Sequence, residues 1–120
     1  MLTEFGKYLR KIRIDNDEIL KKMSDKLNVT AAYLSAVENG KREVPEDWIQ
    51  KISDMYAIDA MQQKELEEAA FNSKKSIKIK LDNESTRNKD LVLAFARRFR
   101  DLDDEDVEEM QEILNRKRGV

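Results

Sequence analysis

The sequence predicts an all-α protein, and three observations support this class. Only three glycines and one proline interrupt 120 residues. Lys, Glu, Asp, Leu, Met and Ala, which favour helices, are abundant. Apolar residues recur every three or four positions along most of the chain, the period of an amphipathic helix. We therefore expect a five-helix domain over residues 1–70, a linker or short strand over 71–85 and a helical hairpin over 86–120.

Two helices are predicted before residue 30. The first is capped by Thr3 and is stopped at residues 15–17, and its apolar stripe consists of Phe5, Leu9 and Ile12. The second ends at Asn28, a residue that tolerates the left-handed conformation at a helix C-terminus. Its apolar stripe consists of Ile19, Leu20, Met23 and Leu27.

Three more helices complete the first domain. Thr30 suits the N-cap of a short helix with Leu34 and Val37 inward, and Gly40 stands where a C-terminal glycine would end it. Pro45 fits the first position of a fourth helix, whose apolar face consists of Trp48, Ile49, Ile52, Met55 and Tyr56. Asp59 is expected to cap a fifth helix through Ala70, with inward candidates Met61 and Leu66.

The last fifty residues change in composition. From Ile77 to Leu81, apolar residues alternate with lysines, a period of two that suits a short strand or an extended linker equally. Ser85 or Thr86 can start a helix through about Arg100, with the apolar residues Leu91, Phe95, Phe99 and Leu102. Asp103 can cap a last helix with the apolar residues Val107, Met110, Ile113 and Leu114.

Composition excludes several function classes. With no Cys and no His, the chain cannot form a zinc finger, a haem site, a Cys/His nucleophile pair or a disulfide. Nothing suggests the converging acid and base groups of an enzyme, so we expect no catalysis, no cofactor and no metal. The acidic run from Asp101 to Asp106 suits a helix N-terminus. Apolar stretches are short, so we expect a soluble, cytoplasmic protein with no membrane partner.

Residues 20–37 have the spacing of a helix-turn-helix. The small residue Ser24 suits a close helix crossing, and apolar residues can fill the crevice from both sides. With the segment Ala32-Tyr33-Leu34-Ser35-Ala36-Val37-Glu38-Asn39-Gly40-Lys41-Arg42, the stretch from Phe5 to Ile58 resembles the Cro/CI-type helix-turn-helix domain of bacterial and phage repressors, the XRE family. The resemblance implies a lambda-repressor-like fold and a sequence-specific DNA-binding transcriptional regulator that lays helix 31–39 in the major groove of double-stranded DNA.

The base-facing residues are expected on the third helix. At 100° per residue, Ala32, Ser35, Ala36 and Asn39 point outward when Leu34 and Val37 point inward, and Ala31 and Tyr33 lie at the flanks. The resemblance places base-reading side chains at Ala31, Ala32 and Ala36. Since alanine cannot hydrogen-bond a base edge, readout shifts toward Thr30, Tyr33 and Ser35 or toward DNA shape. Tyr33 could instead be packed beside the inward stripe.

Phosphate contacts are expected on either side of that helix. Leu20 stands where the family usually has a phosphate-binding glutamine, so this contact is missing or passes to Lys21 and Lys22, which could also be plain surface residues. Asn39, Lys41 and Arg42 match family positions near the sugar-phosphate backbone. Although the formal net charge is −2, residues 21–42 are locally basic, with Lys21, Lys22, Lys26, Lys41 and Arg42 against Asp25 and Glu38. The resemblance pairs Glu38 with Arg13 as a structural ion pair.

One recognition helix covers few base pairs, so a homodimeric repressor is expected. The dimer surface could be the segment around Ile77 to Leu81 or the helices from Thr86 to Arg118, although these helices could equally pack on each other or on the first domain. Arg97, Arg98 and Arg100 could touch flanking phosphate or remain solvated. The alternative function is an antitoxin-like or adaptor protein whose C-terminal helices bind a protein partner.

Overall fold

A computed structural model describes residues 1–118. Over that range the chain contains α-helices and one 3-10 turn but no strand, which confirms the all-α class. It divides into two compact units, Met1–Ile77 and a second from Lys78 onward. The helices are α1 (Glu4–Asp15), α2 (Leu20–Lys26), α3 (Ala31–Glu38), α4 (Trp48–Met55), α5 (Ala60–Asn72), α6 (Thr86–Arg98) and α7 (Asp104–Arg118), with the turn Phe99–Asp101 between the last two.

Side-chain caps begin most of these helices where the sequence predicts them. The Asp59 carboxylate accepts from the Gln62 backbone N–H at 2.8 Å, and the Gln62 side chain accepts from the Asp59 N–H at 3.1 Å, which completes a capping box. Four further side chains cap α1, α3, α6 and α7 in the same way, namely Thr3, Thr30, Ser85 and Asp103. These bonds satisfy N–H groups that have no partner inside the helix.

The first unit has a continuous apolar core. Helix α1 packs on α3 and α5, α2 packs on α3, and α4 packs on α5. The buried apolar side chains are Phe5, Leu9, Ile12, Met23, Leu27, Leu34, Val37, Trp48, Ile52 and Leu66. Asn28 has the predicted left-handed conformation, with φ of 62°, at the turn between α2 and α3. The inner faces of α1 and α3 are therefore those that the periodicity predicts, whereas Ile19 of the stripe predicted for α2 precedes that helix and is 71% exposed.

Two further predictions in this unit are wrong. Pro45 is not the first residue of α4, because residues 46–47 form a turn that is closed by a 3.1 Å bond from the Trp48 N–H to the Pro45 carbonyl. Met61 is 73% exposed, whereas Leu66 is fully buried. Five residues turn an α-helix through about 500°, which leaves these two side chains roughly 140° apart, so one face cannot bury both.

The second unit has helices without a buried core. Residues 76–81 have no regular secondary structure, so of the two alternatives for this segment the strand is not formed. Helices α6 and α7 are present, but the close packing of a hairpin is not seen: no side chain in residues 78–117 is buried. Among the described residues, no helix is both long and apolar enough to cross a bilayer.

Candidate nucleic-acid interface

The side chain of Glu38 fixes the end of α3 to α1. Its carboxylate accepts from both terminal nitrogens of Arg13, at 2.5 Å from Nη1 and 3.1 Å from Nη2. The Arg13 and Glu38 side chains are only 10% and 4% exposed, and Arg13 also contacts Met23 Sδ at 3.4 Å. A bidentate pair holds both orientation and distance. The pair therefore sets the angle between the two helices and neutralises an acidic charge on α3.

The backbone of Glu38 is held to the start of α1 as well. Its carbonyl accepts from the Thr3 N–H at 2.9 Å and from the Thr3 hydroxyl at 3.1 Å. Gly6 lies beside this carbonyl, where a β-carbon would approach its oxygen to 2.2 Å. Since the helices can come this close only without a side chain, Gly6 is required by the contact. Helix α3 is thus anchored through both the side chain and the backbone of one residue.

The outer face of α3 is partly exposed and carries short side chains. Ala32 is exposed, and Ala31, Ser35 and Ala36 are half-buried, while Leu34 and Val37 point into the core. Ala31, Ala32 and Ala36 present only a methyl group. Such a face lets a duplex approach closely and can contact the methyl group of thymine, but it offers few hydrogen bonds to base edges.

Lys41 and Arg42 are fixed beside the end of this face. Gly40 has φ of 75°, its N–H donates to the Val37 carbonyl at 3.1 Å, and the Lys41 N–H donates to the Ala36 carbonyl at 2.9 Å. These two bonds form a Schellman motif, which reverses the chain at a helix C-terminus. Both basic side chains are exposed directly after α3.

Tyr33 is packed, which is one of the two placements that the sequence leaves open. Its half-buried ring meets Trp48 edge-on, with 6.0 Å between ring centroids. The Arg42 guanidinium carbon lies 5.8 Å from the centroid of the Tyr33 ring, within the range of a cation–π interaction. The aromatic ring therefore orients a basic side chain.

Thr30, Ser35 and Asn39 also make hydrogen bonds within the helix. The Thr30 hydroxyl accepts from the Tyr33 N–H at 3.0 Å. The Asn39 side-chain amide donates to the Ser35 carbonyl at 2.9 Å and lies 3.5 Å from the Ser35 hydroxyl. These bonds use some of the polar groups that the sequence assigns to base or phosphate contacts, and they stiffen both ends of α3.

The lysines of α2 fall into two groups. Lys21 and Lys22 are exposed, and Lys21 is 3.5 Å from Asp25 one turn along the helix. Lys26 instead pairs with Glu18 and lies 4.6 Å from the centroid of the Tyr56 ring. Lys26 therefore belongs to a structural cluster with Glu18 and Tyr56. It adds less positive charge to the surface near α3 than the count of basic residues in 21–42 indicates.

Glu18 is the centre of that cluster. Its side chain is 8% exposed and accepts from the Tyr56 hydroxyl at 2.6 Å. Burial by itself raises the pKa of the Glu18 carboxyl, but the hydrogen bonds from Lys26 and Tyr56 outweigh burial and hold that pKa below its ordinary value. Burial and the bond to Glu18 raise the pKa of Tyr56. The cluster connects the α1–α2 loop to α2 and α4.

Two basic residues that the helix-turn-helix pattern does not include lie near Lys41 and Arg42. Lys74 and Lys75 line the same groove, of about 540 Å³, which runs between the α3–α4 loop and the end of α5. The groove wall also contains three acidic residues, Glu43, Glu46 and Glu67. The signal in the sequence is the run Lys74, Lys75, Lys78 and Lys80, with no acidic residue between Asn72 and Leu81.

Comparisons with known protein families, with curated proteins and with solved structures each gave no match. Within the described residues, no group of three or more acidic side chains is arranged to hold a metal ion. In the acidic run, Asp103 Oδ1 accepts from the Asp106 N–H at 2.8 Å as a helix cap.

Proposed function

We propose that the protein is a sequence-specific DNA-binding transcriptional regulator, acting as a dimeric repressor that inserts α3 into the major groove. One observation carries the proposal: α3 is anchored on its inner side by Leu34, Val37 and Glu38, while its outer side is left open next to two exposed basic residues. A helix held this rigidly, with a free face and flanking cations, has the features that major-groove recognition needs.

The charges near α3 support this function. Lys41 and Arg42 follow α3 directly, and Lys21 and Lys22 are exposed on the neighbouring α2. The acidic residue on α3, Glu38, is neutralised by Arg13 and is buried. Each phosphate that these cations neutralise releases counterions, so the affinity for DNA should fall as salt is added, with a logarithmic slope of about 0.9 per contact.

The methyl-rich face predicts how sequence would be recognised. Ala31, Ala32 and Ala36 can contact thymine methyl groups but cannot donate to or accept from a base. Discrimination would then rest on A·T pairs at a few positions, on Thr30 and Ser35, and on the deformability of the duplex. We therefore expect an operator with strong preferences at few positions.

Selection from random duplexes tests the proposal. The full chain is incubated with a random library at low salt, bound duplexes are recovered over several rounds, and a variant with Lys41→Ala and Arg42→Ala is run in parallel. A palindromic motif enriched only by the natural chain supports a dimeric regulator. If the natural chain enriches no motif, the proposed function is rejected.

The alternative is an antitoxin-like or adaptor protein whose C-terminal helices bind a protein partner. The observation that favours it is the exposure of large apolar side chains on α6 and α7, for example Leu91 at 67% and Leu114 at 66%. The two functions differ in what the purified chain does alone. A gel shift of its own promoter fragment without any partner supports the regulator, and a shift that requires a second protein supports the alternative.

A further inference from the structure

The second unit exposes an apolar stripe on each helix. On α6 and the first residue of the turn that follows it, Leu91, Phe95 and Phe99 succeed one another at intervals of four residues and are 67%, 47% and 43% exposed. The rings of Phe95 and Phe99 are stacked with 5.8 Å between centroids. On α7 the corresponding stripe includes Val107, Ile113 and Leu114, which are 39–66% exposed. Contiguous apolar surface of this kind marks an interaction site.

The charges on the two helices have opposite signs. Residues 86–100 contain five basic residues and one acidic residue. Residues 104–112, the first part of α7, contain six acidic residues and no basic one. No ion pair joins these two sets among the side chains that the structure describes in this unit. The last turn of α7 is basic, with Arg116, Lys117 and Arg118, so the charges that match α6 are those of the first part of α7.

We infer that these stripes are covered by a second copy of this chain, with α6 of one copy lying along α7 of the other. A two-fold axis then repeats the same contact, so that both apolar stripes of both chains are buried at once. The inference deepens the proposed function by naming the surface through which a dimeric regulator would form. The test of this dimer uses no DNA. The dimer can therefore be refuted while DNA binding is confirmed, or confirmed while DNA binding is refuted.

Charge decides which helices pair. If α6 lay on its own copy, its four basic residues would approach four others, and two parallel copies of α7 would bring their acidic segments together. Like charges placed opposite each other disfavour an interface, and opposite charges favour both its register and its rate of formation. The arrangement of α6 on the first part of α7 gives complementary signs at both contacts. Because α6 and α7 of one chain bury no side chain against each other, these complementary borders favour a second copy of this chain as the partner.

Charge reversal on one helix tests this pairing. At 100° per residue, Arg87 and Arg98 border the apolar stripe of α6, whereas Arg97 and Arg100 point away from it. Sedimentation equilibrium of the full chain, without DNA, should show a dimer for the natural sequence. Arg87→Glu with Arg98→Glu should raise the dimer dissociation constant at least about tenfold. The matched variant with Arg97→Glu and Arg100→Glu should leave it nearly unchanged.

A second charge reversal, on α7, should restore the dimer that the reversal on α6 dissociates. At 100° per residue, Asp104 and Glu109 border the two sides of the apolar stripe of α7. Asp104→Lys with Glu109→Lys should also dissociate the dimer, and a chain with all four border reversals should regain it. Phe95→Ser should dissociate the dimer, and Leu93→Ser, on the opposite side of α6, should not. Circular dichroism checks that every variant keeps its helices. The inference is overturned if the natural chain stays monomeric at its highest soluble concentration, if the border reversals leave the dimer intact, or if the four-residue variant fails to restore it.

Discussion

Gly6 in α1 contacts the backbone carbonyl of Glu38 at the end of α3, where a β-carbon would come within 2.2 Å of the carbonyl oxygen. That carbonyl is also held by two hydrogen bonds from Thr3, so it has little freedom to move away. The approach of the two helices therefore depends on a missing side chain.

Replacing Gly6 by alanine should destabilise the first unit. Alanine favours a helix over glycine by about 1 kcal/mol, but the clash with Glu38 should cost more, giving a net loss of about 1–3 kcal/mol. Urea unfolding followed by circular dichroism measures the difference. Lys11→Ala, an exposed change on the same helix, is the control and should change stability little. Equal stability of the two variants would show that α1 can shift without cost.

The buried ion pair should respond differently to single and double substitution. Arg13→Met leaves the Glu38 carboxylate buried without its partner, which should cost about 3–5 kcal/mol. Arg13→Met combined with Glu38→Leu removes both charges and should recover most of that loss. The exposed pair of Lys21 and Asp25 offers a comparison, because Lys21→Met should cost less than about 1 kcal/mol. If the double variant loses as much stability as the sum of the losses of the two single variants, this account is wrong.

Glu18 should make stability fall in acid. Because the folded state lowers the pKa of this carboxyl, its contribution is complete above the unfolded pKa of about 4.3 and is lost as the pH falls through the lower, folded pKa. The difference in unfolding free energy between the natural chain and Glu18→Gln should thus be largest near neutral pH and shrink below about pH 4.3. Tyr56→Phe, which removes one hydrogen bond to Glu18, should move this loss to higher pH. If the difference in unfolding free energy between the two chains stays constant below about pH 4.3, the cluster does not stabilise the ionised Glu18 carboxylate.

Removing the cations after α3 should weaken binding to every duplex. Lys41→Ala with Arg42→Ala should lower affinity for specific and random DNA alike and reduce the salt slope by about 0.9 for each phosphate that is no longer neutralised. Fluorescence anisotropy over a salt series measures both effects. Lys51→Ala with Lys64→Ala, on α4 and α5, removes the same charge and should leave the slope nearly unchanged. Identical slopes for both variants would place DNA elsewhere on the protein.

A single charge on the outer face of α3 should separate recognition from folding. Ala32 is exposed, so Ala32→Glu should leave the helices intact while its carboxylate repels the phosphates and lowers operator affinity at least about tenfold. Ala32→Gln has the same length without the charge and should bind far better than the glutamate variant. Circular dichroism and anisotropy on one selected operator give the comparison. If Ala32→Glu binds the operator as tightly as the natural chain, the outer face of α3 does not contact DNA.

The starts of helices with a side-chain cap could be predicted from the sequence, because each cap lies within three residues of the group it satisfies, as for Thr3 and Thr30. Helices α2 and α4 have no such cap. Which side chains of α5 are buried could not be predicted from the sequence. Met61 has a stronger apolar signal than the small residues Ala69 and Ala70, yet these two alanines pack against the core and Met61 is exposed. Ile19 is likewise apolar but 71% exposed, since it precedes α2 instead of lying on its inner face.

The candidate interface was predictable where it is local in sequence. The Schellman bonds that fix Lys41 use residues only a few positions apart. Lys75 reaches the same groove because α5 packs on α1, a contact between distant parts of the chain that no short motif encodes. The amphipathic spacing of α6 and α7 shows which face of each helix is apolar. The spacing does not show which surface covers that face.

The bond between the Phe5 N–H and the Ser73 hydroxyl spans 68 residues and joins the first helix of the unit to the end of the fifth. Ser73 also donates to the Ala69 carbonyl at 2.7 Å, so its hydroxyl is held in place by the helix it terminates. During translation, the Phe5 amide can donate only to water until this hydroxyl has left the ribosome. Nascent chains in which α5 is still inside the ribosome should therefore be open to proteases, although α1 to α4 have already been synthesised.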